Sequence, residues 1–214
     1  MQDDLLESKI DFAGVNEHNL LRKIWTVPQA TLSFILAKCP DKHLPVLLIL
    51  GGAVRALDRV VRQQDTGKQV VVNGITIGVI LGTLSSWLTY YCYAWGLSLT
   101  GSWFGGRATT DQLRTILAWA LVPSVASFAL LLPQVAMLED DSFRREYGAY
   151  FVEGSSVLML CWIGQLVLSI WSVIILLKGI ALVQGFELGK SILNMLLPGM
   201  LIVSAILLIA TLLP

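Results

Sequence analysis

Long uncharged apolar stretches separated by short polar segments dominate the sequence. Four runs contain no Asp, Glu, Lys, Arg or His and are 23 to 26 residues long: 75–100, 115–138, 155–177 and 191–213. A helix needs roughly 20 residues to cross a hydrocarbon core about 30 Å thick. Each of these runs is therefore predicted to be a transmembrane helix.

A fifth and shorter apolar run, 44–57, precedes the other four. Its 14 residues would form a helix about 21 Å long. Arg55 lies near its end, where a long side chain can reach the membrane interface. Val60 and Val61 continue the helical pattern, so the helix is expected to extend beyond the run. We predict a transmembrane helix, and the alternative is a re-entrant or interfacial helix.

The segment 1–43 is predicted to be cytoplasmic, and its acidic first residues do not suit a signal peptide. Pro28 is suited to the start of a short helix that ends near Lys38. An interfacial helix on the membrane is predicted, with an apolar side formed by Leu32, Phe34, Ile35 and Leu36. The predicted architecture is all-α: this amphipathic helix, then a domain of five transmembrane helices over 44–214.

The distribution of Lys and Arg favours a cytoplasmic amino terminus. With five spans in that orientation, the inner segments 1–43, 101–114 and 178–190 hold nine Lys and Arg residues. The outer segments 58–74 and 139–154 hold five. Because cytoplasmic loops carry the excess of positive charge, we expect a multi-pass protein of the inner (cytoplasmic) membrane. Its carboxy terminus would lie on the far side.

The composition excludes several classes of function. Apolar residues make up 55% of the chain, charged residues make up 14%, and the formal net charge is zero, which gives no electrostatic basis for binding nucleic acid. Dispersed cysteines and two early histidines predict neither a metal site nor a cofactor. A G-x-x-x-x-G-K-[ST] nucleotide loop is absent, as are H-E-x-x-H and G-x-S-x-G motifs. We therefore expect neither nucleotide binding nor enzymatic activity.

Small residues spaced by four mark one face of the second predicted span: Gly74, Gly78 and Gly82. Such a face lets another helix approach closely. Packing within the chain is the preferred interpretation, and a dimer interface is the alternative. Three prolines lie inside predicted spans, where loss of a backbone donor is expected to kink the helix: Pro123, Pro133 and Pro198.

The fourth predicted span carries polar residues on one face: Cys161, Gln165, Ser169 and Ser172. A primary amide in lipid needs a hydrogen-bond partner, so Gln165 is expected to point into the bundle. An interhelical hydrogen bond is the preferred interpretation, and a polar path between helices is the alternative.

The loop 101–114 is the most informative polar segment. Its glycines allow a sharp turn, Thr110 is the expected helix cap, and Asp111 suits the first helical turn. Such a cytoplasmic loop could hold lipid phosphates or the carboxylates of a partner. A well-formed turn with anchoring arginines is the alternative. The candidate lipid- or partner-binding residues, including two lysines of the loop 178–190, are Trp103, Arg107, Asp111, Arg114, Lys178 and Lys190.

Glycine, proline and tryptophan positions along most of the chain form a loose pattern. They are Trp25, Pro28, Gly51, Gly52, Gly101, Gly105, Gly106, the run Asp111 to Arg114, Ala118, Trp119, Pro123, Gly179, the turn Val183 to Phe186, Lys190, Ser191 and Pro198. In these positions the chain resembles the Yip domain family, the Ypt/Rab-interacting membrane proteins, in its short bacterial-type form. The resemblance implies five spans and a cytoplasmic amino terminus. It carries over no catalytic residue, and it carries over no trafficking role, because the longer cytoplasmic domain linked to that role is missing.

These observations favour a non-enzymatic membrane adaptor or organiser. Its expected partners are membrane lipids and other membrane proteins or a second copy of the chain. The alternative is a transporter or channel-like protein for lipids or small solutes, with its polar path along the Gln165 face.

Overall fold

The computed structural model describes residues 14–65, 72–139 and 156–212, and every regular element in these ranges is an α-helix. An all-α fold was predicted and is confirmed. The helices are α1 Leu20–Thr26, α2 Pro28–Lys38, α3 Leu44–Asp65, α4 Val72–Trp103, α5 Thr110–Ala120, α6 Val122–Ala126, α7 Phe128–Glu139, α8 Ser156–Gln184 and α9 Leu188–Leu212.

Within the described ranges, three helical segments are long and apolar enough to cross a membrane: Thr110–Gln134, Ser156–Gln184 and Leu188–Thr211. They coincide with three of the predicted spans. The protein buries 56% of the apolar window of the first segment, but only 17% and 12% of the windows of the other two. The last two segments therefore expose large apolar surfaces of the kind that lipid covers.

The first two predicted spans are also helical. Helix α3 runs from Leu44 to Asp65, so it continues past residue 57 as the sequence pattern predicted. Helix α4 has 32 residues and contains the whole uncharged run 75–100. The structure thus establishes both helices.

Proline affects one predicted span more than the others. The segment around Pro123 is interrupted by turns at Leu121 and Ser127, which separate α5, α6 and α7. A kink was predicted at Pro123, and the structure shows a turn on either side of it. Pro133 and Pro198, by contrast, lie inside the uninterrupted helices α7 and α9.

The chain divides into two compact units. The first unit comprises the described residues of Met1–Leu44, Tyr91–Trp119 and Ile174–Pro214, and the second comprises those of Pro45–Tyr90 and Ala120–Val173. Because α4 and α8 each contribute a part to both units, the units are assembled from segments distant in sequence.

Apolar side chains of three helices form the core of the first unit. Leu97, Leu113 and Ile180 are fully buried, and Ala94, Ala108 and Leu117 complete the cluster. Helices α4 and α9 approach each other closely at Gly96. A β-carbon added there would lie 3.1 Å from the Pro198 ring. Dispersion contacts between these closely packed side chains hold the three helices together.

Helix α2 forms as predicted, but its apolar side does not face lipid. Leu32 and Ile35 are completely buried, and Leu32 packs beside Gly179 of α8. The expectation that these two side chains would lie on the membrane is wrong, because the missing side chain at Gly179 leaves room for Leu32. Phe34 and Leu36 are partly exposed.

Small residues bring the helices of the second unit close together. A β-carbon at Gly82 of α4 would lie 2.7 Å from the β-carbon of Ala56 of α3. A β-carbon at Gly52 of α3 would lie 3.2 Å from the Thr83 carbonyl oxygen of α4. A β-carbon at Gly164 of α8 would lie 2.8 Å from the Leu130 side chain of α7. Such contacts let helices pack through dispersion forces when both sides are apolar.

Candidate functional site

The loop that follows α4 is fixed by its own backbone. Gly106 N–H donates to the Gly101 carbonyl at 2.9 Å, and Gly105 N–H donates to the Ser102 carbonyl at 3.1 Å. Gly105 has a φ of 80°, in the left-handed region that favours glycine. This pair of hydrogen bonds is a Schellman motif, so the sequence ends the helix abruptly.

Helix α8 ends in a related way. Phe186 N–H donates to the Ala181 carbonyl at 3.1 Å, and Gly185 has a φ of 70°. The Phe186 ring then meets the Phe104 ring edge-on, with the ring centroids 6.3 Å apart. Two helix ends of the first unit are thereby joined by an aromatic contact.

Gln184 connects these two helix ends and is only 4% exposed. Its Oε1 accepts a hydrogen bond from Ala108 N–H at 3.2 Å, and its Nε2 donates to the Leu97 carbonyl at 3.3 Å. A β-carbon at Gly101 or Gly106 would overlap the amide of Gln184. These glycines therefore make room for a polar side chain that pairs with the Ala108 N–H of the loop and with the Leu97 carbonyl of α4.

From the sequence, Gln184 belongs only to the turn Val183 to Phe186 that supports the family resemblance. The available signal was a polar residue at the end of an apolar helix, immediately before a glycine. Nothing in the spacing shows that Gln184 meets Gly101 and Gly106, because more than 75 residues separate them.

The cap of α5 differs from the prediction. Thr109 Oγ1 accepts from Gln112 N–H at 3.3 Å, and Gln112 Oε1 accepts from Thr109 N–H at 3.0 Å. This reciprocal pair is a capping box. The assignment of the cap to Thr110 was wrong, because Thr110 is already the first helical residue. Asp111 lies in the first turn, as expected.

Arg114 is held by its neighbours. Its guanidinium Nη1 lies 3.2 Å from Asp111 Oδ1, and its Cζ lies 4.8 Å from the centroid of the Tyr91 ring. The side chain is 22% exposed. These contacts orient Arg114 by an ion pair and a cation–π interaction.

The other candidate residues are more accessible. Trp103 is 59% exposed, and Arg107 is exposed on the same loop. Lys190 is exposed in the first turn of α9, whereas Lys178 is partly buried in α8. Within the described ranges, no hydrogen bond or ion pair joins either lysine to the loop 101–114. The structure therefore brings Asp111 together with Arg114, and it places Trp103 at the end of α4 and Arg107 in the loop that follows.

Buried polar groups of the first unit form further direct hydrogen bonds. Thr100 Oγ1 donates to Asn194 Oδ1 at 2.7 Å, and both residues are almost fully buried. Tyr93 Oη donates to the Met195 carbonyl at 2.6 Å. Ser98 Oγ donates to the Ala108 carbonyl at 3.1 Å. These bonds connect α4 to α9 and to the loop.

The second unit contains a cavity of about 220 Å³. Gln165 lies in its wall, on the face of α8 that the sequence singled out. Polar and charged side chains from four helical segments dominate the lining, and Gly51, Val54 and Leu121 complete it. The polar lining residues are Arg55, Asp58, Tyr90, Ser124, Ser127, Gln165 and Ser169.

Two contacts organise the wall of this cavity. The Arg55 guanidinium lies 5.6 Å from the centroid of the Tyr90 ring, close enough for a cation–π interaction. Ser124 and Ser172 share a hydrogen bond of 3.1 Å, which fixes α6 against α8. Tyr90 is 6% exposed, and its hydroxyl has no hydrogen-bond partner among the described residues.

Of the three glycines proposed for helix packing, Gly82 makes the close approach to Ala56 described above. Gly74 and Gly78 lie in the helical part of α4, but their surroundings are outside the described residues.

The described residues do not group three or more His, Cys, Asp or Glu side chains into a candidate metal site. Burial raises the pKa of the Cys39 thiol, which favours the protonated form. The hydrogen bond from Lys42 Nζ to Glu17 Oε2, at 2.7 Å, lowers the pKa of that carboxyl group.

Comparison with known proteins identifies one family. The family model of the Yip1 domain matches residues 22–210, which is nearly the whole chain. No curated protein and no solved structure matches the chain.

Proposed function

The chain belongs to the Yip1 domain family, and from that premise we propose that it is a non-enzymatic adaptor or organiser in the inner membrane. In this proposal five helices cross the bilayer: α3, α4, the segment α5 to α7, α8 and α9. The amino terminus is cytoplasmic and the carboxy terminus lies on the far side. The excess of Lys and Arg in segments 1–43, 101–114 and 178–190 supports this orientation.

The observation that carries the adaptor proposal is the rigid display of Trp103 and Arg107. The Schellman motif and Gln184 hold the loop, while the two side chains stay exposed. A preformed loop loses little conformational entropy on binding, and Trp and Arg are enriched in interface hot spots. This surface is suited to a protein partner or to lipid headgroups.

Site-specific photocrosslinking in native membranes tests the adaptor proposal. A photoreactive residue replaces Trp103, and a matched control replaces Trp95, which lies on the same helix and is 62% exposed. We expect position 103 to give one dominant protein adduct that is lost with Arg107→Ala, whereas position 95 gives lipid adducts. Lipid adducts of the same kind from both positions would overturn the adaptor proposal.

The cavity of the second unit favours a second candidate function, the handling of lipids or small solutes. Ionisable side chains in membrane segments are costly and commonly mark ligand or ion pathways. Flux of lipid or solute in proteoliposomes, compared between the unchanged protein and Gln165→Leu, tests this candidate. Flux that is the same in both would argue against a path along the Gln165 face.

A further inference from the structure

We propose that the cavity of the second unit binds a phosphate group, carried either by a phospholipid headgroup or by a small solute. This inference rests on the second candidate function, since it names the chemical group that a lipid- or solute-handling cavity would hold. The polar side chains of the cavity wall fall into two sets, those with a partner in the protein and those without one among the described residues. The second set points to the ligand.

Three polar side chains of the wall already have partners. Ser127 Oγ donates to the Ser124 carbonyl at 2.6 Å, and the Ser124 hydroxyl shares its hydrogen bond with Ser172. Asp58 also has an interaction partner, so no ligand is needed to satisfy its carboxylate. These three side chains are therefore not the ones that a ligand has to satisfy.

Four polar side chains of the wall remain: Arg55 of α3, Tyr90 of α4, and Gln165 and Ser169 of α8. Within the ranges that the structure describes, none of these side chains makes a hydrogen bond or an ion pair. All four can donate hydrogen bonds, and the one charge among them is the positive charge of Arg55. An anion with several acceptor oxygens therefore matches this set.

The Arg55 guanidinium is oriented where a ligand can reach it. It lies 5.6 Å from the centroid of the Tyr90 ring, and the residue is exposed. Guanidinium groups bind phosphate oxygens through paired, charge-assisted hydrogen bonds, and a preoriented donor loses less conformational entropy on binding. In the proposed five-span arrangement Arg55 also lies within a span, where a cation without a counter-charge is costly.

Tyr90 supplies an independent sign of a missing ligand. It is 6% exposed, and its hydroxyl has no partner among the described residues, although buried hydroxyl groups nearly always make a hydrogen bond. Of the four buried side-chain atoms in the described ranges that lack a partner, this hydroxyl is the one in the cavity wall. A phosphate oxygen would accept its hydrogen bond. Water would accept it too, but water would leave Arg55 without a counter-charge.

The size of the cavity and the number of donors favour phosphate. The volume of about 220 Å³ is below the range of roughly 300–1,000 Å³ that is typical of sites for drug-sized ligands, so the cavity suits a small group or the polar end of a larger molecule. A phosphate monoester offers three strong acceptor oxygens, whereas a carboxylate offers two. Donors from three helices can therefore converge on one phosphate.

Two sources can supply this phosphate. Leu88 of α4 and Leu166 of α8 are more than half exposed, and each lies within two residues of a lining residue. These apolar side chains would contact the acyl chains of a phospholipid whose headgroup phosphate lies in the cavity. A free phosphate or a small phosphate ester would fill the cavity without such contacts.

Native mass spectrometry of the full chain in detergent tests the inference. Phosphatidic acid and diacylglycerol with the same acyl chains differ by the phosphate, and we expect phosphatidic acid to bind roughly tenfold more tightly. Arg55→Gln should weaken its binding by about tenfold, and Tyr90→Phe should weaken it by about threefold to tenfold. Arg55→Lys keeps the positive charge and should retain more binding than Arg55→Gln.

Inorganic phosphate, titrated alone and as a competitor, identifies the source. Inorganic phosphate that binds at concentrations close to those of phosphatidic acid, and displaces it, would assign the site to a solute. Phosphatidic acid that inorganic phosphate does not displace would assign the site to the phospholipid. Arg22→Gln removes an exposed cation of α1 and should leave the binding of both unchanged.

Two results would overturn the inference. One is equal binding of phosphatidic acid and diacylglycerol together with no binding of inorganic phosphate. The other is binding that neither Arg55→Gln nor Tyr90→Phe weakens. Because binding is measured without transport, failed flux would reject lipid or solute handling and leave the assigned site intact.

Discussion

The two units treat their buried polar groups differently. In the first unit, Gln184 pairs with Ala108 and Leu97, and Thr100 pairs with Asn194. Three buried atoms of this unit, Arg114 Nε, Trp119 Nε1 and Asn194 Nδ2, have no partner among the described residues, and none of these residues lines the cavity. In the second unit, polar and charged side chains surround an open volume, and the Tyr90 hydroxyl lacks a partner among the described residues. Paired groups fix a structure, whereas polar groups around a void provide partners for something else.

This difference separates polar groups that pair within the protein from polar groups that line a cavity. Uncharged runs with scattered Gln, Ser, Thr and Tyr residues look uniform in the sequence, because each of these could pair internally or face a cavity. The structure distinguishes them by whether they line the cavity. The first unit uses polar groups to hold a surface loop rigid, and the second uses them to line a cavity.

A matched pair of glutamine variants gives the largest expected effect. Gln184→Leu removes two hydrogen bonds and leaves the buried Ala108 N–H unpaired, so the free energy of unfolding should fall by about 2–4 kcal/mol. Gln165→Leu alters the cavity wall and should change it by less than about 1 kcal/mol. Unfolding in mixed micelles by titration with SDS measures both. Equal losses of unfolding free energy in the two variants would contradict the difference between the polar groups of the two units.

A pair of glycine variants tests how tightly the first unit is packed around Gln184. Gly101→Ala places a β-carbon against the Gln184 amide and should destabilise the protein by about 1–3 kcal/mol. Gly199→Ala adds the same carbon where no atom lies within 4 Å. It should be neutral or should stabilise helix α9 by about 0.5–1 kcal/mol. The same SDS titration compares them, and a neutral Gly101→Ala would show that the contact with Gln184 is loose.

Neighbouring threonines test the cap of α5. Thr109→Ala removes the acceptor for Gln112 N–H and should lower stability by about 1 kcal/mol. Thr110→Ala keeps the capping box and should cost appreciably less. Hydrogen exchange at the amide of Gln112 should accelerate in the first variant and stay unchanged in the second. Equal acceleration in both would contradict the assignment of the cap to Thr109.

The smallest expected effect concerns pH. Lys42 lowers the pKa of Glu17 below its usual value of 4.5, so the charged carboxylate is favoured in the folded state. Its contribution is therefore complete above that value and is lost as the pH falls through the lowered pKa. Thermal stability measured between about pH 6 and about pH 3 should fall slightly more than in Glu17→Gln. Parallel pH profiles for the two proteins would show that the Lys42 pair adds no stability.

The sequence was sufficient to predict the helices because long uncharged runs and prolines act locally. It predicted the extension of α3 beyond residue 57, and it identified the family. It missed the role of Gln184, which depends on glycines distant in sequence, and it placed the α5 cap one residue too late. It also placed Leu32 and Ile35 at the membrane, because periodicity shows that a face is apolar but does not show what covers it. The cavity could not be predicted, since it needs Arg55, Tyr90 and Gln165 to meet in space.

The most direct test of the central claim compares the same substitution at two tyrosines of α4, one in each unit. Tyr93→Phe removes the hydrogen bond to the Met195 carbonyl and should lower the free energy of unfolding by about 0.5–1.5 kcal/mol. Tyr90→Phe removes a hydroxyl without a described partner, so it should leave the free energy of unfolding unchanged or slightly higher. Equal loss of stability in both variants would contradict the account.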